Sequence, residues 1–110
     1  MNIVNVQSAT DVRFKVMQTT DRSQTAMLTL QPGQSSNPAG STHPESDQIV
    51  LMLEGEVFAE VADQAATLRK GDCVIVPANT PHRFTNRSGS LAVMFNAYAG
   101  PAFPPDKASR

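Results

Sequence analysis

Val, Ile, Leu, Met and Thr gather in short runs at positions 12–17, 24–30, 48–53, 56–61, 66–68, 73–76, 83–85 and 91–97, and Pro, Gly, Asn and Ser separate them. Short apolar or alternating runs bounded by turn formers are the pattern of many brief strands that close into a sandwich or barrel. No segment holds a helical period with caps, although the alanine-rich stretch 62–70 leaves a helical turn open. The chain therefore predicts an all-β fold. Gln31-Pro32-Gly33 and the small polar residues that follow form a loop, because proline and glycine set turn geometry and those side chains bury nothing. Gly55, between Glu54 and Glu56, predicts a hairpin turn that asks for positive φ, and Arg69-Lys70-Gly71-Asp72 predicts another. After Tyr98 the tail 99–110 is rich in proline and is expected to lie extended or frayed.

One run departs from simple alternation. Ile49, Val50, Leu51, Met52 and Leu53 are apolar on both parities, so neither face of that strand belongs in water. If residues 48, 50 and 52 line a barrel, then 49, 51 and 53 need cover from another sheet or a second subunit. A homodimer is the expectation.

Length and charge narrow the picture further. The chain has 110 residues, which suits a single domain over 1–110 with a modest core. Nine Lys and Arg stand against ten Asp and Glu, and the basic residues are scattered, so no concentrated positive face for nucleic acid is expected. No apolar run approaches the length of a membrane span, and the N-terminus lacks the pattern of a secretory signal, which predicts a cytoplasmic protein with no membrane partner. Cys73, the lone cysteine, forms no internal disulfide and reads as a small buried apolar residue on a strand.

The chain has two histidines, and both adjoin prolines at strand ends. His43 precedes Pro44, whose ring pushes the preceding residue into the extended region, and His82 follows Pro81 at the start of a run. Two imidazoles at strand ends, on segments far apart in sequence, are placed as in a barrel that assembles a site from opposite walls.

The residues around them resemble the cupins, small β-barrels with two signatures, Gly…His-x-His…Glu…Gly and Gly-x5-Pro-x-Gly-x2-His-x3-Asn. Gly71, Pro77, His82 and Asn86 match the second, with Asn79 at its inner glycine, and asparagine tolerates the left-handed conformation that glycine would take. In the first, Gly55 aligns with the closing glycine, Gln48 takes the usual Glu position, His43 takes the second His and Ser41 stands at the first. The resemblance spans about residues 24 to 97 and implies a double-stranded β-helix, or jelly-roll, barrel. It also implies a divalent transition metal (Zn, Fe, Ni, Mn or Cu) held by His43, Gln48 and His82, with Glu45 in the same loop as a possible addition. An amide oxygen is a weaker, neutral donor than a carboxylate, so a bound ion would keep its full charge.

Val50, Met52, Phe84, Met94 and Asn96 are expected to line the pocket, which suits a small, partly apolar organic molecule better than a polyanion. The expected function is a metal-dependent enzyme of dioxygenase or isomerase type. The alternatives are a non-catalytic ligand-binding module, with or without metal, and a barrel kept only as a structural subunit, since this fold carries all three.

Overall fold

The computed structural model describes residues 1–36, 43 and 45–103. Eight strands fall on the eight apolar runs: β1 (Phe14–Thr19), β2 (Ser23–Leu30), β3 (Asp47–Glu54), β4 (Glu56–Val61), β5 (Gln64–Arg69), β6 (Cys73–Val76), β7 (His82–Thr85) and β8 (Ala92–Ala99). They form two antiparallel sheets, one in the order β1-β2-β8-β3-β6 and the other β5-β4-β7. This is the jelly-roll arrangement expected from the sequence.

Alternation decides which side chains fill the space between the sheets. Leu28 and Leu30 from β2, Val50 and Met52 from β3, Val57 and Ala59 from β4, Phe84 from β7 and Met94 from β8 make one buried cluster. The paired members of β2, β3 and β4 each lie two residues apart on their strand, as a pleat requires. A barrel of this size is filled by its own side chains along most of its length. Room for a ligand is left only where the filling stops.

The stretch 62–70 makes no helical turn; it supplies β5. Its residues pair in unbroken register with β4, from Glu56 opposite Arg69 to Val61 opposite Gln64, and this pairing outweighs the helical preference of its alanines. The one helical piece among the described residues is a 3-10 turn, Val6–Ala9, capped by the Asn5 side chain. It lies outside the barrel, where Ala9 packs with Met17, Met27 and Val93, and with Val4, Val6, Leu53, Leu91 and Phe95 at the margin. No helix among the described residues is long and apolar enough to cross a membrane.

Gly55 does not close a hairpin. It joins β3 to β4, which belong to different sheets, so the chain turns a corner there. Its φ is 74°. A Cβ at this position would lie 2.2 Å from the Leu91 carbonyl oxygen, so both the backbone conformation and the close approach exclude a side chain. Gly71, with φ 91°, sits at the second crossing, between β5 and β6, where its N–H donates to the Met52 carbonyl at 2.9 Å.

The N-terminal segment covers only part of the outer face of the larger sheet. Ile49, Leu51, Cys73, Ile75 and Ala97 share the rest, because Ile49 stands opposite Ile75 and Ala97, and Leu51 opposite Cys73. Ile75 is 61 % exposed and Cys73 is exposed as well. The cysteine is therefore not the buried residue its apolar neighbours suggested. Strand β6 is short and at the sheet edge, and its side chains alternate between the barrel and the outside rather than all facing in.

Ala62 and Asp63 form the two-residue turn between β4 and β5, and Ala62 has φ 54°, where a hairpin of this length favours glycine. The left-handed conformation costs a non-glycine residue roughly 1–2 kcal/mol, and glycine's extra freedom in the unfolded chain offsets up to about 1 kcal/mol of that. Ala62→Gly should raise stability by about 0.5 kcal/mol, seen as a higher urea midpoint at unchanged slope. A lower midpoint would mean that the turn is not strained.

Candidate functional site

One end of the barrel holds a cavity of about 570 Å³, within the size range of small-molecule sites. His43, Gln48 and His82 all line it. Their placement follows from the strands and turns that carry them.

His82 opens β7 and is almost fully buried. Its Nδ1 lies 2.9 Å from the Thr80 carbonyl oxygen, which can only accept, so Nδ1 carries the proton and Nε2 keeps its lone pair. A backbone bond of this kind fixes both tautomer and ring orientation. The His43 ring lies 5.1 Å from that of His82, centroid to centroid, and the two are tilted by 45°. Burial, and then the charge of His82, hold the His43 imidazole below the ordinary histidine pKa. His43 is thereby kept neutral, the form that donates to a metal.

The segments bearing the two histidines are tied to each other. The Asn79 N–H donates to the His43 carbonyl at 2.9 Å, and the Ala78 N–H donates to Oδ1 of Asp47 at 2.8 Å. Asn79 takes φ 58°, the left-handed conformation expected for the residue at the signature's glycine position. Asn86, which ends the same signature, is buried at the far end of β7: its amide nitrogen donates to the Leu30 and Ser90 carbonyls, and its oxygen accepts from Ser88. Asn86 thus shapes the turn behind β7 and is not among the residues that line the cavity.

Gln48 is 4 % exposed. Its Nε2 donates to Oδ1 of Asn96 at 2.8 Å, which directs the amide and leaves Oε1 buried with no hydrogen-bond partner. A buried acceptor left unmet costs about 1–3 kcal/mol unless something outside the protein satisfies it. This orphaned oxygen, together with two imidazoles, fits a divalent ion held by neutral donors. Among the described residues there is no group of three or more His, Cys, Asp or Glu that could hold a metal, so among them the third donor beside the two imidazoles would be the amide.

Aromatic rings form much of the remaining wall. Tyr98, directly opposite Gln48 across the β3–β8 pairing, meets the His43 ring edge to face at 5.5 Å. Burial pushes its phenol well above the ordinary tyrosine range and keeps it protonated. Phe103 stands 5.2 Å from His43, 5.4 Å from Tyr98 and 5.0 Å from Phe14. Phe103 comes from beyond the last strand, where the tail was expected to lie extended or frayed. Buried Gln24 holds this segment in place: its Oε1 accepts from the N–H groups of Ala102 and Phe103, and its Nε2 donates to the Phe103 carbonyl at 2.8 Å. The tail is thus strapped across the barrel mouth as far as residue 103.

Of the residues expected to line the pocket, Phe84 does so. Val50, Met52 and Met94 point inward as predicted but lie deeper, in the packed core, because side chains from both sheets fill the barrel at their level. Asn96 lies beneath the cavity and acts through Gln48. Glu45 is exposed and is not among the lining residues, and Ser41 falls outside the described residues. Tyr98 could have been found, since it continues the inward parity of Met94 and Asn96. Leu28 likewise follows from the alternation of β2. Arg13 and Phe103 carry no such periodic signal.

The model of the Cupin domain family matches residues 26–98. The uncharacterized protein YdbB of Bacillus subtilis (strain 168) is 38% identical over 42 residues, which is 37% of this chain and 37% of that protein. The crystal structure of TT1209 from Thermus thermophilus has a TM-score of 0.80 at 27% identity and covers 91% of this chain and 98% of its own. BH2720 from Bacillus halodurans has a TM-score of 0.83 at 20% identity, with coverage of 94% and 83%. The barrel topology, the second signature with its His82 and Asn86, and the match over most of the strands agree: the chain belongs to the cupin family.

Proposed function

We propose that the cavity is a divalent-metal site at which a small, partly apolar organic molecule is bound and turned over, in a reaction of the dioxygenase or isomerase type. The observation that carries this reading is the unmet Oε1 of Gln48 beside two imidazoles, one of which has its free nitrogen set by a backbone bond. His43, His82 and Gln48 would hold the ion, which would act as a Lewis acid with positions left open for the organic ligand. The chain's own part is to hold His43 neutral by burial, to fix the His82 ring with its Nε2 free through the Thr80 carbonyl, to aim the amide oxygen through Asn96 and to limit water access with the ring of Phe103.

A second reading, a non-catalytic ligand-binding module, has one observation in its favour. No Asp or Glu is found among the described lining residues, so with both imidazoles committed to an ion no carboxylate among them is left to act as a general base. Turnover of a small molecule by metal-loaded protein separates the two.

Protein purified without a histidine tag should carry or take up a stoichiometric divalent ion, read by elemental analysis and zinc titration. His82→Ala should weaken zinc by more than about tenfold. Failure of the parent to take up any ion under any loading condition would remove the metal. Gln48→Glu should tighten zinc by about tenfold, or ~1.4 kcal/mol, by adding an anionic donor. An unchanged affinity would show that residue 48 does not reach the ion.

We also infer that a second copy of this chain covers Ile49, Leu51, Ile75 and Ala97. These residues carry no charge, so the face is complementary to itself about a twofold axis, which needs the same patch on both subunits. Light scattering should give the dimer mass for the parent and the monomer mass for Ile75→Lys. A monomeric parent at high concentration would refute the pairing.

A further inference from the structure

The aromatic wall and the charge of the lining select among the small molecules such a cavity could hold, and we propose that it takes a planar aromatic carboxylate whose anionic end meets Arg13. This inference rests on the reading of the cavity as a small-molecule site and narrows it.

The shape of the wall comes first. Phe14, Phe84, Tyr98 and Phe103 line the cavity with the two imidazoles, and several of their contacts are steeply angled: 79° between His43 and Tyr98, 68° between His43 and Phe103, and 79° between Tyr98 and Phe103. Rings set edge to face present both C–H edges and π faces to whatever lies between them. A flat ring satisfies both, in the tilted and offset contacts that aromatic pairs prefer. A saturated ring of similar volume gains the apolar burial without those contacts.

The charge comes second. Arg13 is the one Lys or Arg among the described lining residues, and no Asp or Glu opposes it there. Its position is fixed by the backbone, since its carbonyl accepts from the Thr29 N–H at 2.8 Å just before β1 begins. Its Nη2 donates to the Ser35 carbonyl, next to Ser36 of the lining. A guanidinium has five N–H donors in a fork that matches a carboxylate, so one bond to a carbonyl still leaves it able to bind an anion.

A third consideration acts in the same direction. Every donor available to a metal here is neutral, so an ion held by His43, His82 and Gln48 would keep its whole positive charge. A neutral ligand would leave both that ion and Arg13 without a counter-charge. A monocarboxylate supplies one.

Benzoate, benzamide and cyclohexanecarboxylate serve as probes, titrated into untagged protein, metal-stripped and zinc-loaded, with binding read by calorimetry and by two-dimensional NMR. Benzoate should bind at least tenfold more tightly than benzamide and several-fold more tightly than cyclohexanecarboxylate. Arg13→Gln should lower benzoate to the affinity of benzamide, Arg13→Lys should restore part of the loss, and zinc affinity should not change in either variant. Arg13 is exposed, so neither variant is expected to disturb the barrel. Benzoate binding no tighter than benzamide, or parental benzoate affinity in Arg13→Gln, would overturn the inference. The zinc titration keeps the two readings apart: zinc uptake without a preference for benzoate overturns this inference alone, whereas failure to bind both zinc and every ring compound removes the site itself.

Discussion

The register between β3 and β8 is the constraint on which the site depends. Gln48 stands opposite Tyr98 and Val50 opposite Asn96, and from those two pairings come the glutamine's contact with Asn96 and the tyrosine beside His43. A slip of one residue would turn all of these side chains to the other face, because side chains in a strand alternate with a period of two. The inner apolar set of Val50, Met52 and Met94 prevents that slip, since it would have to leave the core with them. Core residues that touch no ligand therefore fix the geometry of those that line the cavity. Below the level of Gln48 the barrel is solid, and above it polar and aromatic side chains take over.

Electrostatics then shape what this end of the barrel can hold. Its potential donors are neutral: two imidazoles and one amide oxygen. Neutral donors leave an ion strongly polarising but weakly anchored, the opposite balance to a carboxylate-rich site. Asn96 is central to that choice, because by taking Nε2 of Gln48 it commits the amide to present oxygen rather than nitrogen. The backbone does the same for His82 through the Thr80 carbonyl. Both groups are oriented by a hydrogen bond on the side away from the cavity.

Most of the fold could be read from the sequence, because strands announce themselves through short apolar runs and alternation. All eight elements lie where those runs lie, and the left-handed Asn79 follows from its place in the signature. What the sequence hid was the assignment of strands to sheets. Glu54-Gly55-Glu56 has the composition of a hairpin, yet it joins two different sheets, and only the close approach of the Leu91 carbonyl shows why glycine is needed. For the site, the positions of His43, Gln48, His82 and Phe84 at the cavity could be anticipated from motif and parity. Its depth could not, because Val50, Met52 and Met94 have the right parity at the wrong level. Phe103 was hidden for a different reason: a proline-rich tail gives no periodic signal, and its anchor, Gln24, is far away in the chain.

That anchor has a mechanical implication. The ring closing the cavity is fastened by three hydrogen bonds to a single amide rather than woven into a sheet. Unfastening it would break no strand pairing, though it would uncover the buried Gln24 and Tyr98 against which it lies, so the entrance and the walls are held by different contacts. A visitor to this chamber thus meets an entrance set by one amide and by ring contacts with Phe14, His43 and Tyr98, while strand register sets the walls.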